Sequence, residues 1–134
     1  MLYPIAIEQG DEQQAYGVIV PDIPGCFSAG DTLEEAFQNA KEAIEFHLEG
    51  LVEDGEEIPK AKSLEVHKNN PELSGLTLAL VEVDITHLLG KSEKINVTLP
   101  SLLIRRIDEF VASHPNYKTR SSFLAQVASE KIFA

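Results

Sequence analysis

Polar and apolar residues alternate strictly over one short stretch in the last third of the chain, Lys94–Pro100. Its apolar members are Ile95, Val97 and Leu99, and its polar members are Lys94, Asn96 and Thr98. Strand side chains point alternately to two faces, so the pattern predicts a β-strand with one apolar and one polar face. Such a strand has no hairpin partner nearby and would not persist alone in water. We therefore expect it to pair with the same strand of a second chain in an antiparallel ribbon.

Apolar residues at helical spacing follow this strand directly. One helix is predicted from about Ser101 to Ser113, and a second begins after a cap at Thr119 to Ser122. The apolar residues of the two helices are Leu102, Leu103, Ile107, Phe110 and Val111, then Phe123, Leu124, Val127, Ala128 and Ile132. A strand and two helices in about 40 residues are too small to fold without disulfides, metal or oligomerisation, which again favours a dimer.

The first 90 residues carry a different pattern. Strands are predicted at Leu2 to Glu8, Ala15 to Val20 and Cys26 to Ala29. A long helix follows, capped by Asp31 or Thr32 and ending near Gly55. Ser63 to Val66 reads as a short edge strand. Leu76 to Val83 is the most hydrophobic run, which predicts a central strand buried on most of its length.

Charge divides the 134 residues unevenly, although the overall net charge is −11. Residues 1–90 hold 18 acidic and 4 basic residues, a balance of −14, and residues 91–134 hold 4 acidic and 7 basic residues, a balance of +3. A basic half attracts nucleic-acid phosphate and an acidic half attracts basic proteins, although the acidic excess could equally serve solubility alone. The chain has neither an apolar run of about 20 residues nor a basic, hydrophobic leader, which predicts a cytoplasmic protein without membrane association.

A two-stranded ribbon has the width of the DNA major groove, which would place Lys94, Asn96 and Thr98 against the bases. Lysine donates to guanine, asparagine pairs with adenine, and threonine bonds to a base or touches the thymine methyl group. A solvated strand face is the alternative. The start of the second helix offers free N–H groups to a DNA phosphate at Thr119, Arg120, Ser121 and Ser122, and plain capping is the alternative there. Lys91 and Lys118 are weaker candidates for phosphate contacts.

Two family resemblances cover much of the chain. Lys94–Pro100 together with Arg120-Ser121-Ser122-Phe123-Leu124 resembles a ribbon-helix-helix domain. Val20–Ser28 followed by Gly30–Ala36 and the long helix resembles the amino-terminal domain of HicB-type antitoxins.

The resemblances imply an α+β protein with two domains. Residues 1–86 would form a partial RNase H-like β-β-β-α-β domain that binds the toxin. Residues 92–134 would form a β-α-α ribbon-helix-helix domain for DNA binding and dimerisation, with Ile95, Val97 and Leu99 as the dimer core. The implied partners are a HicA-type mRNA-cleaving toxin, palindromic operator DNA of its own operon and a second copy of the chain. Neither catalysis nor a cofactor is expected, and assembly into tetramers or larger forms stays open.

Two other functions remain to be weighed. One is a transcriptional regulator whose first domain senses a small ligand. The other is an RNase H-like nuclease, whose chemistry needs clustered carboxylates and divalent metal. The available acids are Asp22, Asp31, Glu35 and Asp84, and their spacing matches no catalytic set. Asp31 is better explained as a helix cap and Asp22 as a turn residue.

Histidine and cysteine add no catalytic signal to this picture. His47 lies on the apolar stripe of the long helix, as expected for a core or boundary residue, and His67, His87 and His114 share no metal-binding spacing. Cys26 is the only cysteine and has no basic neighbour in sequence, so we expect a buried small side chain.

Overall fold

A four-stranded antiparallel sheet organises the first part of the chain. The computed structural model describes residues 1–133 and places the strands at β1 (Leu2–Glu8), β2 (Tyr16–Ile19), β3 (Phe27–Gly30) and β4 (Thr77–Glu82). Their order across the sheet is β3-β2-β1-β4, and all neighbouring strands are antiparallel. The predicted α+β class is therefore confirmed as a mixed α/β fold with an antiparallel sheet.

The two inner strands are β2 and β1, and β1 is buried from Tyr3 to Ile7. The prediction of a buried central strand at Leu76 to Val83 is wrong, because β4 pairs only with β1 and lies at the edge of the sheet. Val81 is buried in this strand, but Leu80 is exposed. A hydrophobic run reports the composition of a strand, whereas its position in the sheet depends on pairings made far away in sequence.

The long helix α1 (Leu33–Glu53) covers one face of this sheet. Its buried residues are Ala36, Ala40, Ile44 and Leu48, which join the core with residues of β1, β2 and β4. The cap is Thr32, one of the two residues predicted for this role, and its hydroxyl accepts the Glu35 N–H at 3.1 Å. The explanation of Asp31 as a helix cap is therefore wrong. The predicted end near Gly55 is confirmed: this glycine has φ 72° and its N–H donates to the Val52 carbonyl oxygen.

The segment between α1 and β4 is helical rather than extended. The predicted edge strand at Ser63 to Val66 is wrong, because a short helix α2 (Leu64–Lys68) and a 3-10 turn (Pro71–Leu73) occupy this region. In this helix His67 is buried and Leu64 is half-buried. These residues are three positions apart, which places them on one face of a helix, whereas the alternating Ser-Leu-Glu-Val pattern suggested a strand.

The carboxy-terminal part contains the two predicted helices, α3 (Ser101–Ser113) and α4 (Arg120–Phe133). A 3-10 turn (Thr86–Leu88) precedes them, and α4 contacts this turn while Phe133 packs against the core of the first part. Residues 91–100 belong to no strand of the single chain. No helix within residues 1–133 is long and apolar enough to cross a lipid bilayer.

Candidate functional site

The stretch Lys94–Pro100 stands open to solvent. Ile95 is 76% exposed and Val97 is 59% exposed, although both are apolar and belong to the alternating pattern. Lys94, Asn96 and Thr98 are exposed as well, and Leu99 is half-buried. The alternating stretch forms no β-pairing within the described part of the chain. The apolar face of Lys94–Pro100 is therefore left uncovered by that part of the chain.

The two helices that follow also leave apolar side chains uncovered. Ile107 is the only buried residue of α3. The exposed apolar residues of the two helices are Leu102, Leu103, Phe110, Val127 and Ile132. Inside the helix pair, Phe110, Tyr117 and Phe123 form an aromatic cluster with ring centroids 5.2–5.7 Å apart. The cluster packs α3 against α4, while the five apolar side chains named above stay exposed on the single chain.

The start of α4 is capped by Thr119, whose hydroxyl accepts the Ser122 N–H at 3.0 Å. Arg120 donates from Nε and from an η nitrogen to the two carboxylate oxygens of Asp108 on α3, at 3.0 and 2.7 Å. The Arg120 hydrogen bonds hold the pKa of Asp108 below its usual value. A phosphate at this helix start would therefore meet chiefly the N–H groups of Arg120 and Ser121, which have no acceptor inside the helix.

The bidentate pair between Asp108 and Arg120 was missed by sequence reasoning. The two residues are 12 positions apart and lie on different helices, so no helical spacing rule relates them. Lys118, a weaker phosphate candidate, has φ 64° in the turn just before α4, and Lys91 lies in the exposed segment before the alternating stretch.

The side chain of Asp22 is buried and pairs with a histidine far away in sequence. One of its carboxylate oxygens lies 2.9 Å from Nε2 of His67, and the other accepts the Lys62 N–H at 2.9 Å. Asp22 does lie in a turn, as predicted, but its pairing with His67 had no local signal. The pair fastens α2 to the loop after β2, so both side chains have a structural role.

The remaining acids do not join Asp22. Asp31 and Glu35 are exposed at the start of α1. Burial would raise the pKa of Asp84, but hydrogen bonds from the Thr86 hydroxyl and N–H outweigh it and the pKa is lowered. No three histidine, cysteine, aspartate or glutamate side chains among residues 1–133 are grouped closely enough to hold a metal ion. The four acids therefore form no candidate nuclease centre in this region.

Two further expectations concern the first part of the chain. Cys26 is buried, which confirms the expectation, and burial raises the pKa of its thiol. His47 is half-buried on α1, as expected for a boundary residue.

Comparison with known proteins defines the class. The chain belongs to the HicB-like antitoxins of bacterial toxin–antitoxin systems, whose family profile matches residues 3–128.

Individual relatives cover between 63% and 100% of this chain. An uncharacterised 14.9 kDa protein of the rep-hol intergenic region in Haemophilus phage HP1 is 56% identical over 134 residues, which are 100% of this chain and 99% of the relative. The crystal structure of the antitoxin HicB of Burkholderia pseudomallei is 43% identical, with a TM-score of 0.75 over 98% of both chains. A chain of the HicA3 and HicB3 toxin–antitoxin complex is 37% identical, with a TM-score of 0.55 over 63% of this chain and 99% of that chain.

Proposed function

We propose that this antitoxin neutralises a HicA-type mRNA-cleaving toxin through residues 1–86 and represses its own operon through residues 92–134. The second region would act as a ribbon-helix-helix dimer, and the first as a partial RNase H-like domain. The action requires neither catalysis nor a cofactor, and it takes place in the cytoplasm, where both mRNA and operator DNA are found.

The exposed alternating stretch Lys94–Pro100 carries the DNA-binding part of this proposal. Pairing Ile95, Val97 and Leu99 with the same residues of a second chain would bury the apolar face that the single chain leaves open. The same pairing presents two copies of the polar face on a two-fold axis, which suits a palindromic operator. The exposed apolar residues of α3 and α4 support this dimer, since they would gain cover from the partner.

The polar face offers the chemistry of base recognition. Lys94, Asn96 and Thr98 are exposed and can reach base edges from a ribbon in the major groove. Within the predicted phosphate site Thr119 to Ser122, the free N–H groups of Arg120 and Ser121 would position a phosphate beside it. The residues divide into a base-reading set and a phosphate-binding set. Contacts of the first set make the DNA affinity depend on sequence, and contacts of the second set make it depend on salt.

Toxin neutralisation is supported by membership of the family and by charge. Residues 1–90 carry a balance of −14, with 18 acidic and 4 basic residues. A ribonuclease toxin must bind RNA phosphates with a basic surface, so an acidic partner would be attracted to it and could cover it. Neutralisation would then work by masking.

The test replaces Lys94, Asn96 and Thr98 together with alanine in the full-length chain. Each good bidentate base contact is worth about 1–3 kcal/mol, and every position occurs twice in a dimer. We expect specific binding to DNA from the promoter of its own gene to fall to the non-specific level in fluorescence anisotropy. Sedimentation should still find a dimer, because the apolar face is unchanged.

A matched control replaces Lys91 and Lys118 with alanine. It removes positive charge without touching the proposed base-reading row, so it should lower affinity similarly for all sequences. Growth rescue in cells that express the toxin should survive in both variants. Retained sequence preference in the triple variant would contradict base reading by the ribbon, and loss of rescue would contradict separate action of the two regions.

A further inference from the structure

The outward face of α1 carries a phenylalanine that the fold does not use. Phe46 is 80% exposed, whereas α1 covers the sheet with its opposite face, through residues such as Ile44 and Leu48. An aromatic side chain left in water forgoes the stabilisation that burial would provide. Phe46 lies on α1 one turn after Glu42 and one turn before Glu49 and Gly50, so these residues surround it on the helix surface.

Gly50 is a second feature without a structural reason. It lies inside α1, and a Cβ atom built on it would meet no atom of residues 1–133 within 4 Å apart from its chain neighbours and the backbone of its own helix. A helical glycine destabilises the helix by about 1 kcal/mol relative to alanine. The missing side chain leaves a flat area beside Phe46, and such an area allows close approach by the surface of another molecule.

The charges around Phe46 and Gly50 are almost all negative. Lys41 is the only lysine or arginine in α1, and the helix carries the acidic residues Glu34, Glu35, Glu42, Glu45, Glu49 and Glu53. The last turn has no basic residue, although the carboxy-terminal end of a helix favours positive charge. The helix alone would therefore be more stable with different residues at several of these positions.

We propose that Glu42, Phe46, Glu49, Gly50 and Glu53 form the docking face for the basic, RNA-binding surface of the toxin, with Phe46 as the apolar anchor. This inference rests on the proposed function and locates its interface. An apolar anchor within a charged rim is the usual anatomy of a protein interface. A second copy of this chain that docks through the same face does not fit, because it would place two acidic faces against each other. A basic partner satisfies both the charge and the exposed ring.

The experiment measures toxin binding by the full-length chain and uses the HicA-type toxin of its own host as the probe. Phe46→Ser removes the anchor, and Gly50→Gln fills the flat area with a residue that favours helix. We expect each change to weaken binding about tenfold or more in calorimetry, as for the central residues of other interfaces. Gly50→Gln should also raise the melting temperature, so its loss of binding cannot be attributed to unfolding.

Phe27→Ser is the matched control, because Phe27 is 65% exposed but lies on β3 rather than on α1. Its toxin affinity should stay within about twofold of the unchanged chain. A second pair of variants tests charge. Glu42→Lys with Glu49→Lys should slow association and flatten its dependence on salt, whereas Glu12→Lys with Glu72→Lys, outside α1, should do so much less.

The outcomes separate this inference from the proposed function. If the unchanged chain does not bind the toxin, both are overturned. If the unchanged chain binds and the Phe46 and Gly50 variants bind equally well, the toxin docks elsewhere and only the docking face is overturned. A smaller oligomer of Phe46→Ser with unchanged toxin affinity would identify a second copy as the occupant and would also overturn it. Circular dichroism and the melting temperature of every variant verify that the first part of the chain is folded.

Discussion

Replacing His67 with leucine should destabilise the first part of the chain strongly, although neither His67 nor Asp22 belongs to a proposed binding surface. Their side chains are 7% and 2% exposed, and Nε2 of His67 lies 2.9 Å from a carboxylate oxygen of Asp22. The change would leave the carboxylate buried with one hydrogen bond from the protein, donated by the Lys62 N–H. Removing one partner of a buried pair typically costs about 3–5 kcal/mol. Domains have about 5–15 kcal/mol in total, so the loss is a large share of the stability.

The assay is urea unfolding followed by circular dichroism, for the full-length chain and the variants His67→Leu, Asp22→Asn and the double variant. Asp22→Asn removes the buried charge. The double variant should therefore lose less free energy of unfolding than the sum of the losses in the two single variants, by a coupling of about 1–3 kcal/mol. Val66→Ala is the matched control on the same short helix, since Val66 is exposed and its loss should change stability by about 0.5 kcal/mol or less. A loss below about 1 kcal/mol for His67→Leu would refute a structural role for the pair.

Three further predictions concern packing, dimerisation and pH. Gly30→Ala should lower the free energy of unfolding by about 1–3 kcal/mol, because the new Cβ would lie 2.3 Å from the Ala36 nitrogen. Gly50→Ala should instead stabilise α1, and thermal unfolding of both variants checks the two expectations. Val97→Pro should abolish the dimer in sedimentation by removing a ladder donor, and a folded dimer would contradict the ribbon. Burial, and then the charge of Asp22, raise the pKa of Tyr3 from 10.0 to about 12. The contribution of the Tyr3 hydroxyl to stability is therefore present below pH 10.0 and should be lost as the pH rises to about 12. Tyr3→Phe should remove this dependence of the unfolding free energy on alkaline pH.

Local periodicity was enough to predict the elements whose signals lie within a few residues of each other. The ends of α1 follow from a threonine cap and a glycine with positive φ, and α3 and α4 follow from apolar spacing that ends at polar turns. The same kind of signal predicted an alternating strand at Lys94–Pro100 without an internal partner, and the single chain forms no ladder there. The family could also be recognised, because its motifs are short and continuous.

Only the tertiary structure decided which side chains meet across long sequence separations. It placed β4 at the edge of the sheet, although the hydrophobicity of Leu76 to Val83 had predicted a central strand. It also paired Asp22 with His67 and Arg120 with Asp108, and it left Phe46 on the solvent side of α1. A helix or strand pattern is set by neighbours three, four or two positions away, and the sequence therefore determined it alone. A pairing 45 positions apart depends on how all the intervening elements pack, and that is why only the folded chain reveals it.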